Sequence, residues 1–143
     1  MVEKDFQAKL KKGCPKKFWY YKIPDMPFAE GLRFNVKKPF DVIVIANGKG
    51  IAMELKMFKG TAFPFNHIRY HQLTAMRQVV NAGGDALFVI GAEDKLYSLT
   101  LDEMSYEASE AEKLGRKSIS KERLEHYAID TIKEFWEMMS LKC

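Results

Sequence analysis

Residues 40–57 read FDVIVIANGKGIAMELKM, and no other stretch constrains the fold of this chain as strongly. The β-branched run 40–46 has the composition of a strand buried in the middle of a sheet. Asn47-Gly48-Lys49-Gly50 is a hairpin turn signal, and residues 51–57 form the return strand. Side chains alternate along a strand, so Glu54 and Lys56 share one face. A turn at Asn47-Gly48 sets Asp41 opposite Glu54, whereas a turn at Gly48-Lys49 sets Asp41 opposite Lys56. Both registers bring Asp41, Glu54 and Lys56 to the same face of the sheet.

Two carboxylates and an amine on an otherwise apolar strand pair are costly to bury without a partner. A hard divalent cation resolves that cost. Mg²⁺, or Mn²⁺ as a substitute, takes a few carboxylates together with waters and phosphate oxygens. In this reading Asp41 and Glu54 hold the metal. Lys56 orients or deprotonates an attacking water, or stabilises charge on a phosphoryl group undergoing hydrolysis. The ordinary alternative for a Glu-x-Lys triplet is a solvated strand edge or a simple ion pair.

The remaining elements follow from periodicity and punctuation. Residues 3–12 predict a helix with Phe6 and Leu10 on one face, stopped by Gly13 and Pro15. Residues 17–23 predict an aromatic strand, and the Pro- and Gly-containing stretch 24–38 a loop. A helix is expected over 67–81, strands over 86–91 and 95–101, and a helix over 101–113. Ser120 caps a helix running to about 127, and Asp130 caps a final one over 130–141. The fold class is α/β (α+β), with a mixed central sheet flanked by helices, and 1–143 is a single domain.

Charge is unevenly distributed. Residues 1–60 carry 13 Lys/Arg against 6 Asp/Glu, and residues 101–143 carry 7 against 10, within a net charge of +4. A basic front half suits an anionic partner such as nucleic acid. Lys16, Lys17, Lys37, Lys38, Lys59, Arg69, Arg116 and Lys117 are the candidate DNA phosphate contacts, with Arg33 beside them. Trp19, Tyr20 and Tyr21 are read as core or dimer-interface aromatics, the alternative being base stacking. No apolar run reaches 18 residues and the charged N-terminus lacks a signal-peptide core, so neither a membrane span nor secretion is expected, and a cytoplasmic location is. Cys14 and Cys143 form no C-x-x-C motif and are expected to be reduced.

Further motifs follow the hairpin: Lys59-Gly60-Thr61-Ala62-Phe63-Pro64-Phe65, His71-Gln72-Leu73, Gly84-Asp85-Ala86-Leu87-Phe88-Val89-Ile90, then Gly115-Arg116-Lys117-Ser118-Ile119 and Leu124. This succession, over roughly residues 36–128, resembles the RecU-type Holliday junction resolvases of the PD-(D/E)xK nuclease superfamily and their compact phage-borne relatives. The resemblance implies a restriction-endonuclease-like fold and a Mg²⁺-dependent endonuclease. It implies a homodimer nicking branched double-stranded DNA, in a bacterial cell or a phage-infected host. It also implies that Asp41 and Glu54 are metal ligands and Lys56 the catalytic lysine. An additional acidic ligand on the first helix would be Glu3, with Asp5 as the fallback. Gln72 matches a glutamine on the helix after the hairpin and would hydrogen-bond near the scissile phosphate or the water. His71 is read as a packing or surface histidine. The stalk that such resolvases carry between early strands is reduced here to the loop 24–38. Two other functions fit the same residues: another nuclease of the superfamily, restriction-like or a replication-associated nickase, and a non-catalytic DNA-binding module.

Overall fold

The computed structural model describes residues 3–25, 37–93 and 95–142. Helix α1 (Glu3–Gly13) leads into β1 (Trp19–Lys22), β2 (Val42–Ala46) and β3 (Lys49–Met57). A short strand β4 (Ala62–Pro64) and helix α2 (Tyr70–Asn81) then return the chain to β5 (Asp85–Gly91). After β6 (Leu96–Thr100) come α3 (Leu101–Lys113), β7 (Ser118–Ser120), α4 (Lys121–Leu124), β8 (Ala128–Ile129) and α5 (Ile132–Lys142).

The main sheet has six strands in the order β1-β2-β3-β5-β6-β8. Only β3 and β5 run parallel, and α2 lies in the crossover between them. Both central strands are buried on both faces, as their nearly continuous apolar runs require. Ala46 pairs with Lys49, so the hairpin turn is the two-residue Asn47-Gly48. Both turn residues have positive φ, 52° and 80°, the conformation that matches the right-handed twist of the flanking strands. The first of the two registers open to the sequence is therefore the one adopted.

Alternation sorts the core into two layers. Val42, Val44, Met53, Leu55 and Val89 meet Phe6 and Leu10 of α1 and Phe135, Trp136 and Met139 of α5. Trp136 Nε1 donates to the Leu10 carbonyl at 3.0 Å, tying the first helix to the last. On the other face, Ala52, Phe88, Ile90 and Leu99 meet Met76 of α2 and Met104 of α3. The fold class expected from the sequence is the one observed. Three details differ. The small β4–β7 sheet and β8 are additional. Thr131, not Asp130, caps α5, its hydroxyl accepting from the Glu134 amide at 3.1 Å. The Ser120-capped helix stops at Leu124 and continues as a single 3₁₀ turn. Most of the loop expected at 24–38 lies outside the described residues. No helix among the described residues is long and apolar enough to cross a membrane.

Candidate active site

The hairpin register carries Asp41 to Glu54. Val42 pairs with Met53, and the Asp41 amide donates to the Met53 carbonyl at 3.1 Å, so Asp41 stands one step further, beside Glu54. Alternation turns both carboxylates, and Lys56, to the α2 side of the sheet. Asp41 is 7% exposed and Glu54 only 1%.

Each carboxylate is held by identifiable partners. β2 begins at Val42, which leaves the Leu55 amide on β3 to the side chain of the preceding Asp41; it donates to Oδ2 at 2.8 Å. Lys38 Nζ lies 3.0 Å from Asp41 Oδ1 and 2.6 Å from Asp25 Oδ1, bridging the two acids. Burial disfavours the charged form of Lys38, but its hydrogen bonds and charge interactions with Asp25 and Asp41 outweigh this and hold its pKa above the usual lysine value. Glu54 Oε2 receives two donors, Lys56 Nζ at 3.0 Å and Gln72 Nε2 at 2.7 Å. The Gln72 amide is itself oriented, because its Oε1 accepts from the Arg69 backbone at the start of α2, at 3.0 Å. Glu54 Oε1, by contrast, is buried with no hydrogen-bond partner among the described residues. Burial, and then the negative charge of Asp41, push the Glu54 carboxyl up to about 7, with Lys56 pulling the other way.

The expected residues are thus partly gathered. Asp41, Glu54, Lys56 and Gln72 meet. Glu3 and its fallback Asp5 do not join them: α1 docks on the opposite face of the sheet through Phe6 and Leu10, leaving both acids exposed. Among the described residues no three His, Cys, Asp or Glu side chains come together. His71 takes no part in these contacts. Of the candidate DNA contacts, Lys16, Lys17, Lys37, Lys59, Arg69, Arg116 and Lys117 are exposed, and Arg33 lies outside the described residues. Lys38 differs from the rest, since it is the partner of Asp41. Its contact with Asp41 spans only three residues, but the bridge to Asp25, distant along the chain, has no local signal in the sequence. Cys14 is free and half-buried, and burial pushes its thiol up to about 11, which makes it a poor nucleophile. Cys143 is outside the described residues.

The fold is shared with a solved structure described as Archaeoglobus fulgidus Hjc, a Holliday junction resolvase from an archaeal hyperthermophile. The TM-score is 0.55 with 14% identity, over 95% of each chain, a likeness that bears on the restriction-endonuclease-like fold alone. The Holliday junction resolvase RecU of Bacillus subtilis (strain 168) is 39% identical over 96 residues, 66% of this chain and 47% of that protein. The RecU of Bacillus licheniformis is 33% identical over 96 residues, 66% of this chain and 48% of that protein. The chain therefore spans about half the length of the curated relatives it matches. The family model described as Recombination protein U matches residues 11–140, and on that match the chain belongs to the RecU family.

Proposed function

We propose that this chain is a metal-dependent endodeoxyribonuclease that resolves four-way DNA junctions by paired nicks, acting as a homodimer. One observation carries the nuclease reading: two adjacent, nearly buried carboxylates, one with a buried oxygen that has no hydrogen-bond partner among the described residues, beside a lysine on the same sheet face. The junction as substrate is supported by the names of the relatives, which are Holliday junction resolvases.

The donor set fits a hard divalent cation. Asp41 and Glu54 supply only oxygens, and Glu54 Oε1 is a buried acceptor that no hydrogen bond among the described residues satisfies. Mg²⁺, or Mn²⁺ in its place, would be held by these two residues. When bound, such an ion supplies a Lewis acid that offsets phosphate charge and acidifies water. The chain's own groups do the rest. The Leu55 amide and Lys38 fix the plane of Asp41. Gln72 and Lys56 share Glu54 Oε2 and so direct Oε1 away from themselves. Lys56 keeps its ammonium beside that carboxylate, where it can donate to a phosphate oxygen or to the attacking water. The exposed Lys16, Lys17, Lys37, Lys59, Arg69, Arg116 and Lys117 would hold the DNA backbone without reading its sequence. Two copies suit the task, since two related strands must be cut.

The test is cleavage of a synthetic four-way junction and of a linear duplex of the same sequence, with and without Mg²⁺. Symmetric nicks in the junction, dependent on Mg²⁺ and much faster than any cut in the duplex, are expected. Equal rates on both substrates would remove the resolvase assignment in favour of a less selective nuclease. Tight junction binding with no cleavage would identify a non-catalytic module.

A further inference from the structure

The sheet face that bears Asp41, Glu54 and Lys56 continues outward across β2 to the edge strand β1, where it ends in two aromatic rings. Trp19 pairs with Ile45 and Tyr21 with Ile43, while the Ile23 amide donates to the Asp41 carbonyl at 2.8 Å. Ile23 and Ile43 pack with the α2-side core, so alternation turns Trp19 and Tyr21 to that same side. Tyr20, between them, points the other way and meets Trp136 edge-on.

Trp19 is 54% exposed and Tyr21 45%. Their rings stack on each other, 5.3 Å between centroids and 5° between planes. They form a preassembled aromatic surface that belongs to neither core cluster of the described residues. Along β1, at about 3.3 Å per residue, Tyr21 and Trp19 stand roughly 7 and 13 Å from Ile23, the neighbour of Asp41. Lys16, Lys17 and Lys22 are exposed and flank the pair in sequence, with Lys17 Nζ over the Phe18 ring and Lys22 alternating to the Tyr20 side, and residues 15–24 contain no acidic side chain.

Stacking rings in a cationic setting are what unpaired nucleic acid binds. Paired bases inside a duplex are already stacked and offer no free face. A second copy of this chain seated on the rings is the competing occupant, and the experiment separates it from DNA. We propose that Trp19 and Tyr21 form a stacking platform for unpaired nucleobases next to the cleavage site, on the active-site face of the sheet. It rests on the proposed DNA-cutting role of the neighbouring carboxylates.

The chain has two tryptophans, and the other, Trp136, is 2% exposed and hydrogen-bonded to Leu10, so changes in fluorescence report mainly on Trp19. The experiment titrates the full chain, in EDTA, with a short oligothymidylate and with an abasic strand of the same length and charge. The oligothymidylate should quench Trp19 and bind about tenfold or more tighter than the abasic strand. With a labelled strand, Trp19→Ala should weaken oligothymidylate binding by about 5- to 150-fold while changing abasic-strand binding by no more than about twofold, and Trp19→Phe should restore most of the loss. Equal affinity of the wild type for both strands would overturn the platform. So would a Trp19→Ala protein with normal strand affinity that sediments as a monomer where the wild type is a dimer, because the patch would then join two copies. A wild type that cuts junctions but ignores the missing bases defeats the platform alone; one that binds no DNA at all defeats the proposed function too.

Discussion

Replacing Glu54 with glutamine should flatten the pH dependence of stability of the metal-free protein across the neutral range. Burial, and secondarily the charge of Asp41, raise the Glu54 carboxyl from 4.5 to about 7. A raised carboxyl pKa means that the folded protein keeps a proton the unfolded chain releases. The resulting stabilisation is complete below about pH 4.5 and is lost as pH rises through about 7. At about 1.4 kcal/mol per pH unit, that span caps the effect near 3 kcal/mol. Water entry and small side-chain movements reduce it, so a loss of about 1–3 kcal/mol is expected between roughly pH 5 and 8. Asp25 and Glu125 do not interfere, because their hydrogen bonds to Lys38 and Lys95 lower their pKa values, and they titrate below this window. Urea unfolding in EDTA at both ends of the window, for wild type and Glu54→Gln, measures the difference directly. Glutamine keeps an acceptor for Gln72 and Lys56 while removing the charge. Adding Mg²⁺ at the upper pH should return stability to the wild type and not to the variant. A wild type that gains stability across the window, or a variant that keeps the wild-type slope, would refute the reasoning.

Three further outcomes are expected. Asp41→Asn should slow junction nicking by about a thousandfold or more, while junction affinity measured without metal changes by no more than about threefold, since affinity comes mainly from phosphate contacts; near-wild-type nicking would remove Asp41 from the centre. Gln72→Leu leaves Glu54 Oε2 with Lys56 alone, and both the nicking rate and the Mg²⁺ affinity measured by calorimetry should fall about 10- to 100-fold. Gly84→Ala places a methyl 2.7 Å from the Gly50 carbonyl and 2.8 Å from Val79 Cγ1, against backbone that has little room to shift. It should cost about 1–3 kcal/mol in urea unfolding, and an unchanged midpoint would show that the hairpin and α2 can separate at that point.

What the sequence could disclose follows from the range of each physical signal. The hairpin was legible because strand alternation and the Asn47-Gly48 turn act between neighbours, and together they place Asp41 beside Glu54 without any tertiary knowledge. Helix α3 was legible as well. The reciprocal pair at its start, where Thr100 accepts from the Glu103 amide and Glu103 accepts from the Thr100 amide, is a capping signal on which the expected helix over 101–113 did not draw. The strands β4, β7 and β8 have only two or three residues each, too few for a period of two to show. Glu3 illustrates a different limit. Phe6 and Leu10 reveal which side of α1 is apolar, but not which face of the sheet receives it, and that choice decides whether Glu3 stands near Glu54. The Lys38 bridge exposes the same limit from the other side. A lysine three residues before Asp41 reads as one more cation of a basic segment, until the fold sets Asp25 beside it and gives Asp41 a partner. In this chain the part of the site borne by adjacent strands was written locally. The part that tunes it, Gln72 from α2 and the Asp25 that joins Lys38, depends on where distant segments dock.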